Sequence, residues 1–207
     1  MLDAMALNGV KLAVTSDEKA DRVGDLVDRS SKGSGEAFGQ LYQLYVDRIY
    51  NYIYYKTGHS VDAEDLTEQV FIKAWEAIGR FRPEGKPFAA WLFKVARNVV
   101  IDHYRTRKSN TDLSEVMAAA AADGDPEDAA QKQATRQLLM SAVRRLTDEQ
   151  QQVILLKFID GMDNAEISAT MGKKEGAIRA LQYRALLALQ RILQDEQYGL
   201  SRPSRRA

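Results

Sequence analysis

FAAWLFKVARNVVIDHYRTRK, residues 88–108, begins apolar and aromatic and ends with three basic residues in its last four. Phe88, Trp91, Leu92, Val95 and Val99 recur at steps of three and four, the period of one helix face. Lys94, Arg97, Asn98, Ile101, Arg105 and Lys108 keep the same period on another face, so basic and polar groups share a stripe with a single isoleucine. The stretch predicts a helix of about 20 residues, roughly 30 Å long. It would contribute to a core on one side and carry a cationic ridge on the other.

The neighbouring segments follow the same rule. GRFRPEGKP (79–87), with two glycines and two prolines, interrupts the helical pattern just before it. Upstream, a helix from about Asp62 to Ile78 turns Leu66, Val70, Phe71, Ala74 and Ile78 inward and leaves Glu64, Asp65, Glu68 and Glu76 outside. Before that, Ser34 is placed to cap a long helix whose inner face is Leu41, Tyr42, Tyr45, Ile49, Tyr52 and Ile53 and which ends near Gly58. A short helix over Asp21–Arg29 precedes it, and residues 1–18 read as a loose tail.

Downstream, SNTDLSEVMAAAAADGDPEDAAQK (109–132) is poor in large apolar side chains and sets out Asp112, Glu115, Asp123, Asp125, Glu127 and Asp128 before any base appears. It reads as a flexible acidic linker, its edges left open by an alanine run that could be helical in part. Beyond it, Leu138, Leu139, Ala142 and Leu146 mark a helix. Thr147 to Gln150 has the form of a capping box opening another through Val153, Ile154 and Leu156, closed by Asp160 and Gly161. Asp163 to Glu166 is a second such start, Met171 and Gly172 a stop, and Glu175 to about Gln194 a final long helix. No strand pattern occurs. The expected fold is all-α, with two small helical domains at 19–108 and 133–195, the linker 109–132 between them and a tail at 196–207.

Composition limits the function classes. The chain of 207 residues carries 29 acidic and 29 basic side chains, so any argument for a nucleic-acid partner must come from local clustering. No cysteine is present, which excludes disulfides, thiolate metal sites and cysteine nucleophiles. MLDAMALNGVKLAV at the start lacks a basic leader, and no uninterrupted apolar run of about 18 residues exists, so a soluble cytoplasmic protein without membrane insertion is expected.

Clustering is present. Residues 80–108 hold Arg80, Arg82, Lys86, Lys94, Arg97, Arg105, Arg107 and Lys108 against only Glu84 and Asp102, a candidate phosphate track in an otherwise neutral chain. Phe81, Phe88, Trp91, Phe93 and Tyr104 interleave with it, and aromatic faces beside cations suit unpaired bases. The plainer readings are a solvated helix face for the ridge and core positions for each ring. A second surface lies in residues 161–190, where a short capped helix, a tight turn and a long helix form a helix-turn-helix. Ile167, Met171, Ile178, Ala185 and Leu189 would face inward. Lys173, Lys174, Arg179, Ala180, Tyr183 and Arg184 lie on the other side, where arginines bind phosphate or a guanine edge. A plain helical hairpin is the alternative.

Three strings in register, DAEDLTEQVFIKAW at 62–75, the pattern from Phe88 to Arg105 and the helix-turn-helix, resemble bacterial sigma-70 family sigma factors, specifically the extracytoplasmic-function group, over about residues 20–195. The resemblance implies a promoter-recognition subunit of RNA polymerase, not an enzyme. It assigns contact with core RNA polymerase to Asp62, Glu64, Asp65, Glu68 and Gln69. It assigns capture of an unstacked base of the minus-ten element to Phe81, Trp91 and Asn98, with Arg80, Arg82, Arg97, Arg105, Arg107 and Lys108 beside them on the DNA. It gives the minus-thirty-five element to Lys173, Lys174, Arg179, Ala180, Tyr183 and Arg184. An anti-sigma factor is implied as a further partner. Lys174, Ala177, Ala180 and Leu181 depart from the family's usual polar residues, so shape or phosphate readout by that helix is expected to weigh more than base contacts.

Two other classes were weighed. A helix-turn-helix regulator acting without polymerase would bind duplex promoter DNA alone. An enzyme on a helical bundle finds no support: the Glu-x-x-His spacing of a di-metal carboxylate site is absent, since Lys56 precedes His59 and Val100 precedes His103. No Ser-His-Asp spacing or glycine-rich phosphate loop occurs either, so no catalytic residue, metal, cofactor or small-molecule substrate is expected.

Overall fold

The computed structural model describes residues 16–82, 87–109 and 126–199. Among them lie eight α-helices and no strand: α1 Ser16–Ser31, α2 Gly35–Thr57, α3 Ser60–Ile78, α4 Phe88–Ser109, α5 Pro126–Arg144, α6 Asp148–Ile154, α7 Asn164–Met171 and α8 Glu175–Gly199. None is long and apolar enough to cross a membrane.

The N-terminal unit is built from α1 to α4. The Ser34 hydroxyl accepts from the Ala37 N–H at 3.3 Å and starts α2, while Gly58, with φ of 79°, ends it by donating to the Tyr54 carbonyl at 2.8 Å. Leu41, Tyr45, Ile49, Tyr52 and Ile53 are buried as their spacing demands, but Tyr42 is 41% exposed. One residue past Leu41 is about 100° around the helix, which carries Tyr42 to the margin, edge-on to Phe71 with ring centroids 4.7 Å apart. All five inward positions of α3 are buried. The helix α4 buries more than its first five apolar positions: Phe93, Ala96 and Val100 join Phe88, Leu92 and Val99, while Trp91 and Val95 are only partly covered. Phe93 meets Tyr52 edge-on at 5.3 Å, and each such fully buried large side chain contributes about 1.5–3 kcal/mol. The first helix, α1, runs longer at both ends than the Asp21–Arg29 expectation, with Leu26 and Val27 in the core.

The C-terminal unit is built from α5 to α8. Its first helix starts at Pro126, inside the stretch read as linker, and buries Met140, Ala142 and Val143 while Leu138 faces out; Leu146, expected in the same helix, is buried in the turn that follows it. Both capping boxes exist: Thr147 with Gln150, and Asp163 with Glu166, each pair joined by reciprocal side-chain and backbone hydrogen bonds. At its end α6 widens into a π-helical turn over Leu155–Ile159, in which the Asp160 N–H donates to the Leu155 carbonyl at 3.0 Å. Gly172, with φ of 66°, closes α7 before α8.

The two units are not held apart. The helix α7 lies against α4, and α5 and the π-helical turn lie against α2. Apolar residues of both units, from Leu41 and Phe93 to Leu156 and Ile178, form one connected core. Residues 110–125, the greater part of the expected linker, lie outside the described residues.

Candidate nucleic-acid interface

The loop before α4 and the first turn of that helix gather three rings. Phe81 and Trp91 lie 5.0 Å apart, each within 6 Å of the Phe88 ring, at 5.8 and 5.4 Å. Phe88 is buried and belongs to the core, whereas Phe81 and Trp91 are partly buried, packed against that core and forming an aromatic edge at its margin. Arg82 is folded onto the loop, donating to the Gly79 carbonyl at 3.2 Å and the Phe81 carbonyl at 3.0 Å, and Arg80 is exposed beside it. Of the other interleaved aromatics, Phe93 is wholly buried, and the Tyr104 hydroxyl donates to the Lys56 carbonyl at 2.9 Å. The plainer expectation of a core ring therefore holds fully for Phe88 and Phe93, and in part for Phe81 and Trp91, which pack against the core with some of each ring accessible.

Along α4 the ridge is continuous in sequence but interrupted in space. Lys94 and Asn98 are exposed. Arg105 is 81% exposed and reaches Asp102 at 3.3 Å. Between them Arg97 is tied down: its NH2 donates at 2.6 Å to Oδ2 of Asp148, the first residue of α6. The helix runs on through Arg107 and Lys108, whose side chains lie outside the described set, as does Lys86.

Asp148 also accepts, through Oδ1, from Lys56 Nζ at 2.6 Å. Lys56 is the last basic residue of α2, and its side chain is 4% exposed. Burial pushes its ammonium below the usual lysine range, and the hydrogen bond to Asp148 offsets part of that shift. For Asp148 burial acts upward, but the hydrogen bonds and charges of Lys56 and Arg97 outweigh it and hold the carboxyl below its usual range. A second link joins the units at Arg48, whose Nε and NH2 each donate at 2.6 Å to the two oxygens of Asp160. There burial would lower the guanidinium, yet the paired hydrogen bonds and charge of Asp160 raise it. The π-helical turn delivers Asp160 to this spot. None of Arg48, Lys56, Asp148 or Asp160 was singled out from sequence as a cross-unit partner. The only signal was that α2 holds two bases, Arg48 one residue before the buried Ile49 and Lys56 two residues before the C-cap Gly58.

On α3 the acidic residues behave as their spacing implies: Glu64, Asp65, Glu68 and Gln69 are exposed, and Asp62 is partly covered, 3.7 Å from His103 Nε2. Sequence reasoning missed their apolar companions. Val61, Ile72 and Trp75 are 64%, 57% and 41% exposed on the same helix, so the face combines acid with hydrophobic surface. Trp75 is steadied by Phe38, edge-on at 5.0 Å.

In the helix-turn-helix, Ile167, Ile178 and Ala185 are buried and Met171 and Leu189 partly so, as expected. Leu181 is buried as well, so it serves the core and leaves the outer face. Gln182 Nε2 donates to Asn164 Oδ1 at 3.0 Å and the Ser168 hydroxyl to the Lys173 carbonyl at 2.5 Å, fixing α8 against α7. Lys174, Arg179, Ala180, Tyr183 and Arg184 all point outward, Tyr183 with 66% of its surface free. Lys173 is drawn aside to Glu149 at 2.9 Å, and Arg179 to Glu175 at 3.1 Å. The outer face is thus rich in charge and one ring, with few neutral polar groups.

The chain matches known proteins in both of its units. Residues 41–110 match the family model of Sigma-70 region 2, and residues 136–189 that of Sigma-70, region 4. The chain is 40% identical over 183 residues to the ECF RNA polymerase sigma factor BldN of Streptomyces coelicolor, a match covering 87% of this chain and 69% of that protein. It is 30% identical over 179 residues to the ECF RNA polymerase sigma factor SigW of Bacillus subtilis, covering 82% and 95% respectively. Among solved structures, CnrH in complex with the cytosolic domain of CnrY matches with a TM-score of 0.64 at 27% identity, over 84% of this chain and 97% of that one.

Proposed function

Because the chain belongs to the extracytoplasmic-function group of sigma-70 RNA polymerase sigma factors, and so directs core polymerase to promoters, we propose that it divides that work among the three surfaces just described. The exposed side of α3, with Asp62, Glu64, Asp65, Glu68 and Gln69 among Val61, Ile72 and Trp75, docks on core polymerase. Acidic groups give such a contact its steering and an apolar centre gives it area, which agrees with the mixed character of that face. The Phe81 and Trp91 edge stacks a base flipped from the minus-ten element while Asn98 meets its edge. Extruding a base costs a few kcal/mol, which stacking and hydrogen bonds must return. Arg80, Arg82, Arg97, Arg105, Arg107 and Lys108 hold the backbone of that strand. In the C-terminal unit, Lys173, Lys174, Arg179, Ala180, Tyr183 and Arg184 lie over the minus-thirty-five element, chiefly through phosphate and shape.

The observation that carries this reading is the pair of adjacent, partly buried rings, Phe81 and Trp91, at the margin of the core and at the head of a helix whose next open positions are Lys94 and Asn98. Interior core rings would be fully covered, and a merely solvated ridge would have no rings beside it. The protein acts in the cytoplasm, where core polymerase is, has no catalytic step of its own and uses no cofactor. An anti-sigma factor covers it when it is silent; CnrH was solved bound to the cytosolic domain of CnrY.

Run-off transcription with purified core polymerase on fragments of the source genome tests the proposal. Specific transcripts should require this chain and disappear with F81A/W91A. If the protein instead binds duplex promoter DNA by itself and core polymerase gains nothing from it, the chain is a regulator outside the polymerase and the reading is wrong.

A further inference from the structure

The Asp148 carboxylate leaves two nearby buried donors unpaired. Lys56 Nζ and Arg97 NH2 each give it one hydrogen bond of 2.6 Å. Beside them the Tyr52 hydroxyl and Arg97 Nε are buried and have no hydrogen-bond partner among the described residues. Tyr52 is 1% exposed, its ring lies 5.7 Å from Lys56 Nζ, and its hydroxyl is near enough to Asp148 and Arg97 to feel both charges. Leaving a buried donor unpaired costs about 1–3 kcal/mol, so two in one place signal a site fitted to a different anion. A planar carboxylate offers its lone pairs in one plane. A phosphodiester is tetrahedral, carries the same single charge, and presents its oxygens in more directions. Removal of Asp148 would also leave Lys56 and Arg97 facing each other, two cations with no counter-charge in a partly buried place, an arrangement that demands an anion in return.

Resting on the proposed function, we propose that Lys56, Arg97 and Tyr52 form a seat for one backbone phosphate of the melted minus-ten strand, and that Asp148 occupies it as an internal phosphate mimic when the two units are packed together. Lys56 and Tyr52 thereby join the DNA-binding set. The seat is one residue along α4 from Asn98, so a strand whose base is held there has its backbone close by. The DNA strand and α6 compete for one pair of cations. Binding the minus-ten strand requires the C-terminal unit to swing off, and a packed chain binds that strand weakly.

Fluorescence anisotropy on the full-length chain without polymerase tests this. The probe is a labelled single-stranded oligonucleotide with the non-template minus-ten sequence of a promoter found by run-off transcription. Asp148→Asn keeps the side-chain shape and removes the charge; it should tighten binding about tenfold, a difference of about 1.4 kcal/mol. Adding Lys56→Met to Asp148→Asn should return affinity to the wild-type level, and an oligonucleotide with an uncharged methylphosphonate backbone should show no gain from Asp148→Asn. Equal affinities for wild type and a folded Asp148→Asn chain overturn the proposal, as does a gain retained on the uncharged backbone. If Asp148→Asn does not fold, small-angle X-ray scattering of the wild-type chain decides: saturation with the oligonucleotide must enlarge the radius of gyration, and an unchanged radius refutes the competition. Where wild-type protein supports promoter-dependent transcription and these results fail, only the phosphate seat falls; where transcription itself fails, the functional reading falls first.

Discussion

Substituting Asp160 by alanine removes the carboxylate that receives both the Nε and NH2 hydrogen bonds of Arg48, at 2.6 Å each. The Asp160 side chain is 2% exposed, so its loss leaves a guanidinium partner in a largely dry contact. Breaking a fully buried ion pair from one side costs about 3–5 kcal/mol. Arg48 retains 30% exposure and rests 4.9 Å from the Tyr45 ring centroid, so water and the ring recover part of that. The expected cost is therefore about 2–3 kcal/mol, which for a chain of this length lowers Tm by about 5–10 °C. Urea titration should be followed by two signals. Both tryptophans, Trp75 and Trp91, belong to the N-terminal unit, whereas far-ultraviolet circular dichroism reports every helix. In the wild type the two transitions should coincide; in Asp160→Ala the dichroism transition should move ahead of the fluorescence one, because the pair joins the units. A cycle with Arg48→Met should return a coupling of about 2 kcal/mol. Stability within about 0.5 kcal/mol of wild type for Asp160→Ala, a change no larger than an ordinary surface substitution makes, would refute the view that this pair fastens one unit to the other.

Three further outcomes are expected. Asp65→Lys with Glu68→Lys, both on exposed positions of α3, should abolish co-purification with core polymerase while leaving the helical dichroism and Tm unchanged; retained co-purification would place the polymerase contact elsewhere. Gly58→Ala should destabilise by about 1–2 kcal/mol for the left-handed backbone, since the Cβ meets only the far end of the flexible Arg144 side chain, which can swing aside; equal urea midpoints would contradict this. The Asp148 carboxyl is held low in the folded chain, so on acidification the unfolded chain takes up its proton first. Its stabilisation is complete above the unfolded carboxylate pKa and vanishes as pH falls through the folded one. The stability gap between wild type and Asp148→Asn should accordingly shrink on acidification in that window, and a gap constant with pH would show that the carboxylate is not held by Lys56 and Arg97.

Most of the fold was legible because it rests on local rules. Ser34, Gly58, Thr147, Asp163 and Gly172 start or stop helices through interactions within a few residues of themselves, and the period of three and four identified nearly all buried positions of α2 and α3. The errors came from positions that two helices share. Leu138 faces out while Met140 and Val143 face in, and Phe93 and Ala96 widen the buried arc of α4, because α7 and α2 cover it from different sides. The outward residues of α3 and α8 could be read from their own helices. The partners of Arg97 and Arg48 could not, since Asp148 lies 51 residues from Arg97 and Asp160 lies 112 residues from Arg48, and nothing local to either aspartate reveals the approach. Asp148 in particular is the expected acidic residue in the first turn of a capped helix, and that sufficient local role conceals its second one.

The widened turn at Leu155–Ile159 sets the azimuth of everything that follows it. A π-helical turn holds one residue more than the α-helical geometry around it. Deleting a single residue there, Phe158 for instance, would let the helix heal into regular α form with the chain beyond nearly where it was, but winding all five residues as α-helix would not. One surplus residue in regular α form rotates the downstream chain by about 100° and advances it by about 1.5 Å. Asp160 would then sweep away from Arg48, and α8 would be presented at a new bearing, with every side chain of both helices still correct. A chain wound that way would have its parts intact and its orientation lost.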